Sequence, residues 1–200
     1  MKLRLIRLTF EFEPENRNNR MLPSEFQKMV LPLSSKLLHF ALHLIQDEEE
    51  ARDAVQDVFL KLWQKKESLD RVDNLEAFAM RMTRNRCLDL VRSKQTIING
   101  NKRLQTGRGE QKNLQREIEL SEEARLVKEL ISRLPDVQKT VMLLRDVEQY
   151  EFEEIAKITE LNINAIRVIL SRARKKVRDD LFKQQQYGNG SHQIQTAEIF

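Results

Sequence analysis

Apolar side chains recur three and four residues apart along most of this chain, a spacing that predicts α-helices. In the first half we predict helices over Phe26 to Ile45, Glu48 to Lys65 and Glu76 to Arg92, with Asn74 as the N-cap of the third. These segments contain no glycine and are rich in Leu, Glu, Lys and Arg, which are strong helix formers. The predicted fold class is therefore all-α.

The segment from Phe152 to Arg178 predicts two helices joined by a tight turn, TELN. Asn162 can cap the second helix, because its side-chain oxygen can accept a backbone N–H. Ile166 and Leu170 then repeat at helical spacing, and the Arg and Lys side chains are left outside. Two short helices, the second densely basic, are typical of a DNA-reading helix-turn-helix. A helical hairpin with a solvated basic end is the alternative.

The composition divides the chain into two small helical domains joined by a flexible linker. All five glycines fall in the linker or in the C-terminal tail. An Asn/Arg-rich stretch precedes Met21, so either Met1 or Met21 is the native start. The predicted parts are an N-terminal extension (1–20), a first domain (21–94), a linker (95–120), a second domain (121–183) and a disordered tail (184–200).

The composition also predicts a cytoplasmic protein. Cys87 is the single cysteine, which excludes an internal disulfide and fits a reducing compartment. No apolar run reaches membrane-spanning length, and the N-terminal residues alternate apolar and charged side chains instead of forming a signal peptide. We therefore expect no stable membrane insertion.

The net charge of +4 hides two patches of opposite sign. From Asp47 to Asp57 there are six acidic residues and one basic residue. From Arg81 to Lys94 there are five basic residues and one acidic residue. This separation predicts an acidic docking surface and a separate basic surface, with ordinary solubilising charge as the alternative.

Two longer segments carry a resemblance to a known family. EEARDAVQDVFLKLWQK, followed by NLEAFAMRMTRNRCLDLVRSK, resembles the sigma-2 domain of the extracytoplasmic-function sigma factors. ELISRLPDVQKTVMLLRDVEQYEFEEIAKITELNINAIRVILSRARKKVRDDL resembles the sigma-4 domain of the same family. The two matches occur in the family's order. The resemblance implies a non-enzymatic protein whose partners are core RNA polymerase and promoter DNA.

The resemblance implies that the acidic helix docks on core RNA polymerase. That role needs carboxylates and amides on an exposed face beside an apolar anchor, and charge complementarity would steer the encounter. The residues implied for this contact are Asp53, Gln56, Asp57, Phe59 and Leu60.

The loop from Glu67 to Leu75 and the helix after it are implied to contact the −10 promoter element. Extruding a base costs a few kcal/mol, which a pocket must offset, while cations hold the separated strand. Phe78 stands where the family usually has Trp, so we interpret it as a core residue. The residues implied for this contact are Asn74, Arg81, Met82, Arg84, Asn85, Asp89 and Arg92.

The second helix of the helix-turn-helix is implied to enter the major groove of the −35 element. Arg can bond guanine bidentately and Val can contact a thymine methyl. Glu160 stands where the turn often has Gly, which predicts slight strain, and Ile169 replaces a common basic residue. Base reading is implied for Arg167, Val168, Ser171 and Arg172, and phosphate binding for Arg174, Lys175 and Lys176.

The predicted linker limits how the two domains bind DNA together. Residues 95–120 span at most about 86 Å when extended and about 28 Å as a relaxed coil. Two elements two helical turns apart require about 70 Å. We therefore predict that the free protein is compact or held closed and that core polymerase opens it. An anti-sigma factor is the partner that usually holds a member of this family closed.

No catalytic residue, cofactor or metal site is predicted. There is no phosphate-cradling glycine loop and no Ser-His-Asp pattern. His39 and His43 lie four residues apart, as metal ligands can, but without an evident third ligand we interpret them as a packed pair. Cys87 is interpreted as a small core residue.

Two other classes of function stay open. An operator-binding regulator would need a dimerisation element or an effector domain, and it would bind duplex DNA tightly without polymerase. A DNA-acting enzyme such as a recombinase would need an activated nucleophile or a metal cluster, and it would cleave DNA. The first domain resembles neither a dimerisation element nor an effector domain, and no nucleophile or metal cluster is evident, so the sigma-factor prediction is preferred.

Overall fold

The first half of the chain forms four α-helices in the computed structural model, which describes residues 22–101 and 122–187. Two 3₁₀ segments connect them, Leu31–Leu33 after the first helix and Lys66–Arg71 after the third. The α-helices are α1 (Pro23–Val30), α2 (Ser34–Ile45), α3 (Glu48–Gln64) and α4 (Leu75–Asn101).

The predicted first helix, Phe26 to Ile45, is wrong as a single element. It breaks into α1, a 3₁₀ turn and α2 around Pro32. Proline has no backbone N–H, and its ring clashes with the carbonyl four residues earlier. The Ser34 hydroxyl donates to the Leu31 carbonyl at 2.7 Å and supports the break.

The third predicted helix is correct at its start and too short at its end. The Asn74 side-chain oxygen accepts the Ala77 N–H at 2.8 Å, as expected of an N-cap. The helix, however, continues past Arg92 to Asn101, into the segment predicted as linker. The Thr96 hydroxyl donates to the Arg92 carbonyl at 3.0 Å within this extension.

The second half also forms four α-helices. A π-helical turn, Leu143–Val147, follows the second of them. The α-helices are α5 (Glu122–Ser132), α6 (Asp136–Met142), α7 (Phe152–Thr159) and α8 (Ile163–Tyr187). Helix α8 runs four residues past the predicted domain end at Lys183. The predictions for residues 1–21, 102–121 and 188–200 lie outside the described residues.

Helices α7 and α8 form the predicted helix-turn-helix. The Asn162 side-chain oxygen accepts the Ala165 N–H at 2.7 Å, which confirms the predicted cap. Glu160 adopts the left-handed conformation with φ 61°, as predicted for a position where Gly is common. Ile155, Ile158 and Ile166 are fully buried, so the crossing of the two helices is an apolar contact.

The two halves pack against each other mainly through α4 and α7. Their buried side chains belong to one hydrophobic cluster that includes Met80 from the first half and Ile158 from the second. Helix α2 also contacts the π-helical turn of the second half. The compact arrangement expected of the free chain is thus the one in the structure.

Candidate nucleic-acid interface

The exposed face of α8 carries the residues predicted to read the −35 element. Ile166, Leu170 and Ala173 anchor the helix in the core on its other side. Val168 is 48% exposed, which leaves its methyl groups accessible to a thymine methyl. The remaining predicted contacts on this exposed face are Arg167, Ser171, Arg172, Lys175 and Lys176.

Arg174 is only partly exposed, and it pairs with an acidic side chain that lies outside α8. Its guanidinium donates to both carboxylate oxygens of Asp146, with Nη2 at 2.5 Å and Nε at 3.2 Å. The Asp146 side chain is only 15% exposed, and this hydrogen bond raises the pKa of Arg174 above its usual value. Arg174 therefore fastens α8 to the π-helical turn, a role that the sequence did not reveal.

The basic face of α4 meets carboxylates of the second half. Arg81 Nη1 donates to Glu160 Oε1 at 2.8 Å, at the turn of the helix-turn-helix. Arg92 Nε lies 3.6 Å from Asp136 Oδ2, at the start of α6. Two of the arginines predicted to contact the −10 element thus pair with carboxylates of the second half.

The other residues predicted for the −10 element lie along the same helix. Asn85 and Asp89 are exposed, whereas Met82 packs partly against the core. Arg84 is half-buried and donates to the Asn85 side-chain oxygen at 3.0 Å. Burial lowers the pKa of Arg84 from its usual value, and the positive charge of Arg92 adds to this effect.

The acidic face of α3 is exposed, but one residue that was predicted to belong to it is buried. Asp53 and Gln56 are exposed as predicted, and Asp57 Oδ2 pairs with Arg86 of α4 at 2.6 Å. Phe59, predicted as an apolar anchor for polymerase, is only 9% exposed and belongs to the core. Leu60 is 44% exposed and supplies the accessible apolar side chain of this face.

A partly buried polar contact joins the two halves at Glu76 of α4. The Tyr150 hydroxyl donates to Glu76 Oε1 at 2.6 Å, and Lys36 Nζ of α2 donates to the same oxygen at 2.5 Å. The Lys36 ammonium also lies 4.3 Å from the centroid of the Tyr150 ring. Burial raises the pKa of Tyr150, and the bond to Glu76 raises it further, so this hydroxyl stays protonated and donating.

A second polar contact between the halves involves both histidines of α2. His39 Nδ1 lies 2.6 Å from Glu148 Oε1 of the second half, and the His43 ring packs edge-on against the His39 ring at 4.4 Å. Burial lowers the pKa of His43, so this ring is neutral at pH 7. The sequence predicted the histidine pair but not Glu148, which lies 109 residues away along the chain.

Within residues 22–101 and 122–187, no helix is both long and apolar enough to span a bilayer.

A helix-turn-helix with an exposed basic helix, beside a second basic helix on a separate helical unit, defines a DNA-binding protein. Two family models match the same two units. Sigma-70 region 2 matches residues 29–97, and Sigma-70 region 4 matches residues 124–177. Together they cover more than half of the chain. The chain therefore belongs to the sigma-70 family of RNA polymerase sigma factors, in its extracytoplasmic-function group.

Individual relatives agree with this family assignment. The "Probable RNA polymerase sigma factor RfaY" of Xanthomonas campestris pv. campestris is 25% identical over 162 residues, which are 79% of this chain. The matched region spans only 40% of that longer relative.

Two solved structures share the fold. One is the sigma factor RpoE in complex with the anti-sigma factor NepR from Bartonella quintana, with a TM-score of 0.65 and 23% identity over 81% of this chain and 99% of that one. The other is CnrH in complex with the cytosolic domain of CnrY, with a TM-score of 0.57 and 21% identity over 81% of this chain and 90% of that one.

Proposed function

We propose that this protein is a sigma factor that gives core RNA polymerase its promoter specificity and helps to melt DNA. The observation that carries the proposal is the presence of two basic helical faces, α4 in region 2 and α8 in region 4, on separate units of one chain. One duplex-binding unit suffices for a simple operator regulator, whereas recognition of two promoter elements requires two. The protein acts without catalytic residues of its own.

Each face takes one part of this function. The acidic face of α3, with Asp53, Gln56, Asp57 and the exposed Leu60, docks on core polymerase, because complementary charge steers such encounters. The basic face of α4 binds the −10 element and holds the separated strand. The exposed face of α8 reads the −35 element in the major groove.

The closed arrangement is the free form of the protein. Arg81 and Arg92 face Glu160 and Asp136 across the two halves, so both cations become available to DNA only when region 4 moves away from α4. Core polymerase provides the competing surface for this opening. An anti-sigma factor is the partner that we expect to stabilise the closed form, and the similar RpoE is bound to the anti-sigma factor NepR in its structure.

Run-off transcription tests the proposal directly. Purified core polymerase is incubated with genomic fragments, including the region upstream of this chain's own coding sequence, with and without the protein. Discrete transcripts are expected only with both components, and their 5′ ends map the promoters. Tight duplex binding by the protein alone, without transcripts, would assign it to the operator-binding regulators.

A matched pair of variants separates DNA reading from general charge. Arg172→Ala removes a predicted base contact on the exposed face of α8, and a lost bidentate contact costs about 1–3 kcal/mol of discrimination. Lys157→Ala removes one exposed positive charge from α7, outside that face. Transcription should fall with the first variant and persist with the second. Equal loss in both would contradict the role assigned to α8.

A further inference from the structure

We propose that His39, His43 and Glu148 form a binding site for a transition-metal ion of the Zn²⁺ class, which fastens the two halves of the protein together. One ligand atom from each of these residues lies within 4.8 Å of the other two. Zinc ligands lie 2.0–2.2 Å from the metal, which places them about 3.4 Å apart. Small side-chain rotations therefore bring the three groups into the coordination shell.

The two histidines are arranged as metal ligands on one helix. They lie four residues apart on α2, which places both rings on one face of the helix. His43 Nδ1 lies 2.8 Å from the His39 carbonyl oxygen, which can only accept a hydrogen bond. Nδ1 therefore carries the proton, and in the neutral ring Nε2 keeps its lone pair. A hydrogen bond of this kind to the remote nitrogen is the usual way in which proteins orient a ligating histidine.

Glu148 supplies the third ligand from the other half of the chain. It follows the π-helical turn, and its N–H donates to the Leu143 carbonyl at 2.9 Å. Its side chain is only 6% exposed and points to His39. A carboxylate so removed from water needs a compensating partner, and a divalent metal ion attracts it more strongly than a single imidazole N–H does.

The donor set selects the class of metal. Two imidazoles and one carboxylate suit Zn²⁺ and the related ions Co²⁺, Ni²⁺ and Cu²⁺, whereas Mg²⁺ and Ca²⁺ prefer shells composed of oxygen. Three protein ligands leave a fourth position for water. The positive charge of Lys128 acts on His43 and disfavours a cation there, whereas the negative charge of Glu148 favours one.

The consequence is a regulated closed state. Because the ligands come from α2 and from the second half, the complete site exists only while the halves are in contact. A ligand that binds one state stabilises it by mass action, so zinc shifts the protein towards the closed form. The expectation that zinc thereby delays promoter recognition rests on the proposed sigma-factor function.

Binding is tested first on the free full-length protein. One Zn²⁺ per chain is expected by calorimetry, and Co²⁺ is expected to give the intense visible bands of a four-coordinate site. His43→Gln and Glu148→Gln should each weaken zinc binding by more than about tenfold. His192→Gln removes the one histidine of the sequence outside the proposed site and should bind like the wild type. Circular dichroism checks that each variant is folded.

Two results would overturn the site. The first is the absence of saturable zinc binding by the wild-type protein. The second is an unchanged affinity in folded Glu148→Gln, which would place the metal on the histidines alone and remove the link between the halves. Neither result bears on transcription, which run-off assays with metal-free protein measure separately.

The link between the halves is tested by distance measurement. Spin labels are attached at Glu49→Cys on α3 and Asp179→Cys on α8, both exposed positions, while native Cys87 is buried. Zinc should raise the urea concentration at which long inter-label distances appear, and EDTA should reverse this shift. Glu148→Gln should show no shift. Zinc binding by the wild type without any shift would overturn the proposed closure.

Discussion

The Arg81 guanidinium donates to the Glu160 carboxylate at 2.8 Å, and Glu160 is also the residue with the left-handed backbone in the turn of the helix-turn-helix. Glu160 therefore has two effects of opposite sign on the free energy of the closed protein. Its carboxylate joins the two halves, whereas its Cβ makes φ 61° costly compared with glycine.

Replacing Glu160 separates these two effects. Glu160→Gly should stabilise the folded chain by up to about 1 kcal/mol, because the αL penalty disappears, while the closed-to-open ratio falls by up to roughly fivefold, the value of an exposed ion pair. Glu160→Gln should open the protein equally without the gain in stability. Thermal unfolding and inter-label distances measure the two quantities. A Glu160→Gly protein that is both less stable and equally closed would contradict this account.

The cap of the recognition helix gives a second prediction. Asn162 accepts the Ala165 N–H at 2.7 Å, and loss of such a cap costs about 1 kcal/mol. Asn162→Ala should therefore lower the free energy of unfolding in urea by about that amount. Asn164→Ala, an exposed position in the first turn of the same helix, is the matched control and should leave it nearly unchanged. Equal losses in the two variants would show that the cap contributes nothing specific.

The pH dependence of the closed state follows from Glu76. Burial disfavours its charged form, but the hydrogen bonds from Lys36 and Tyr150 outweigh burial and lower the pKa of this carboxyl. Lys36 and Glu76 both belong to the first half, so only the bond from Tyr150 contributes to closure. That contribution is complete above the usual pKa of glutamate and is lost as the pH falls through the lowered value. Inter-label distances should therefore lengthen under acidic conditions. Glu76→Gln removes this titration, so an identical acid response in that variant would refute the assignment.

Cys87 is predicted to be chemically silent in the folded protein. It is fully buried in α4, and burial raises the pKa of its thiol to about 12 despite the nearby charge of Arg86. Because the thiolate is the reactive species, a thiol reagent at pH 8 should label the native chain very slowly and the urea-unfolded chain quickly. Rapid labelling without denaturant would show that α4 opens locally.

Sequence patterns predicted the helices that have strong local signals. The Asn74 and Asn162 caps and the left-handed Glu160 depend on contacts within four residues, so the chain itself displays them. The break at Pro32 was also visible locally, and the prediction gave it too little weight. The end of α4 was missed because residues 95–101 lack a continuous apolar face, although nothing in them stops a helix before Gly100.

Contacts between distant residues account for the other differences. Phe59 and Leu60 are adjacent in sequence, and only the packing of α3 decides which one is exposed. The pairing of Arg174 with Asp146 likewise depends on the π-helical turn, which has no clear sequence signature. For the same reason, no local pattern places Glu148 beside His39. The individual polymerase and DNA contacts stay predictions for the variants described above.

The carboxylates that face α4 also affect how the protein responds to its ionic environment. Arg81 and Arg92 each lie beside an acidic group of region 4, at 2.8 and 3.6 Å. Added salt weakens the contacts of a protein with phosphates, but it weakens these internal ion pairs as well. Easier opening then compensates for part of the lost DNA attraction. Closure between the halves thus reduces the effect of cellular ionic strength on promoter binding. The effect is smaller than the number of phosphates contacted by the protein would imply.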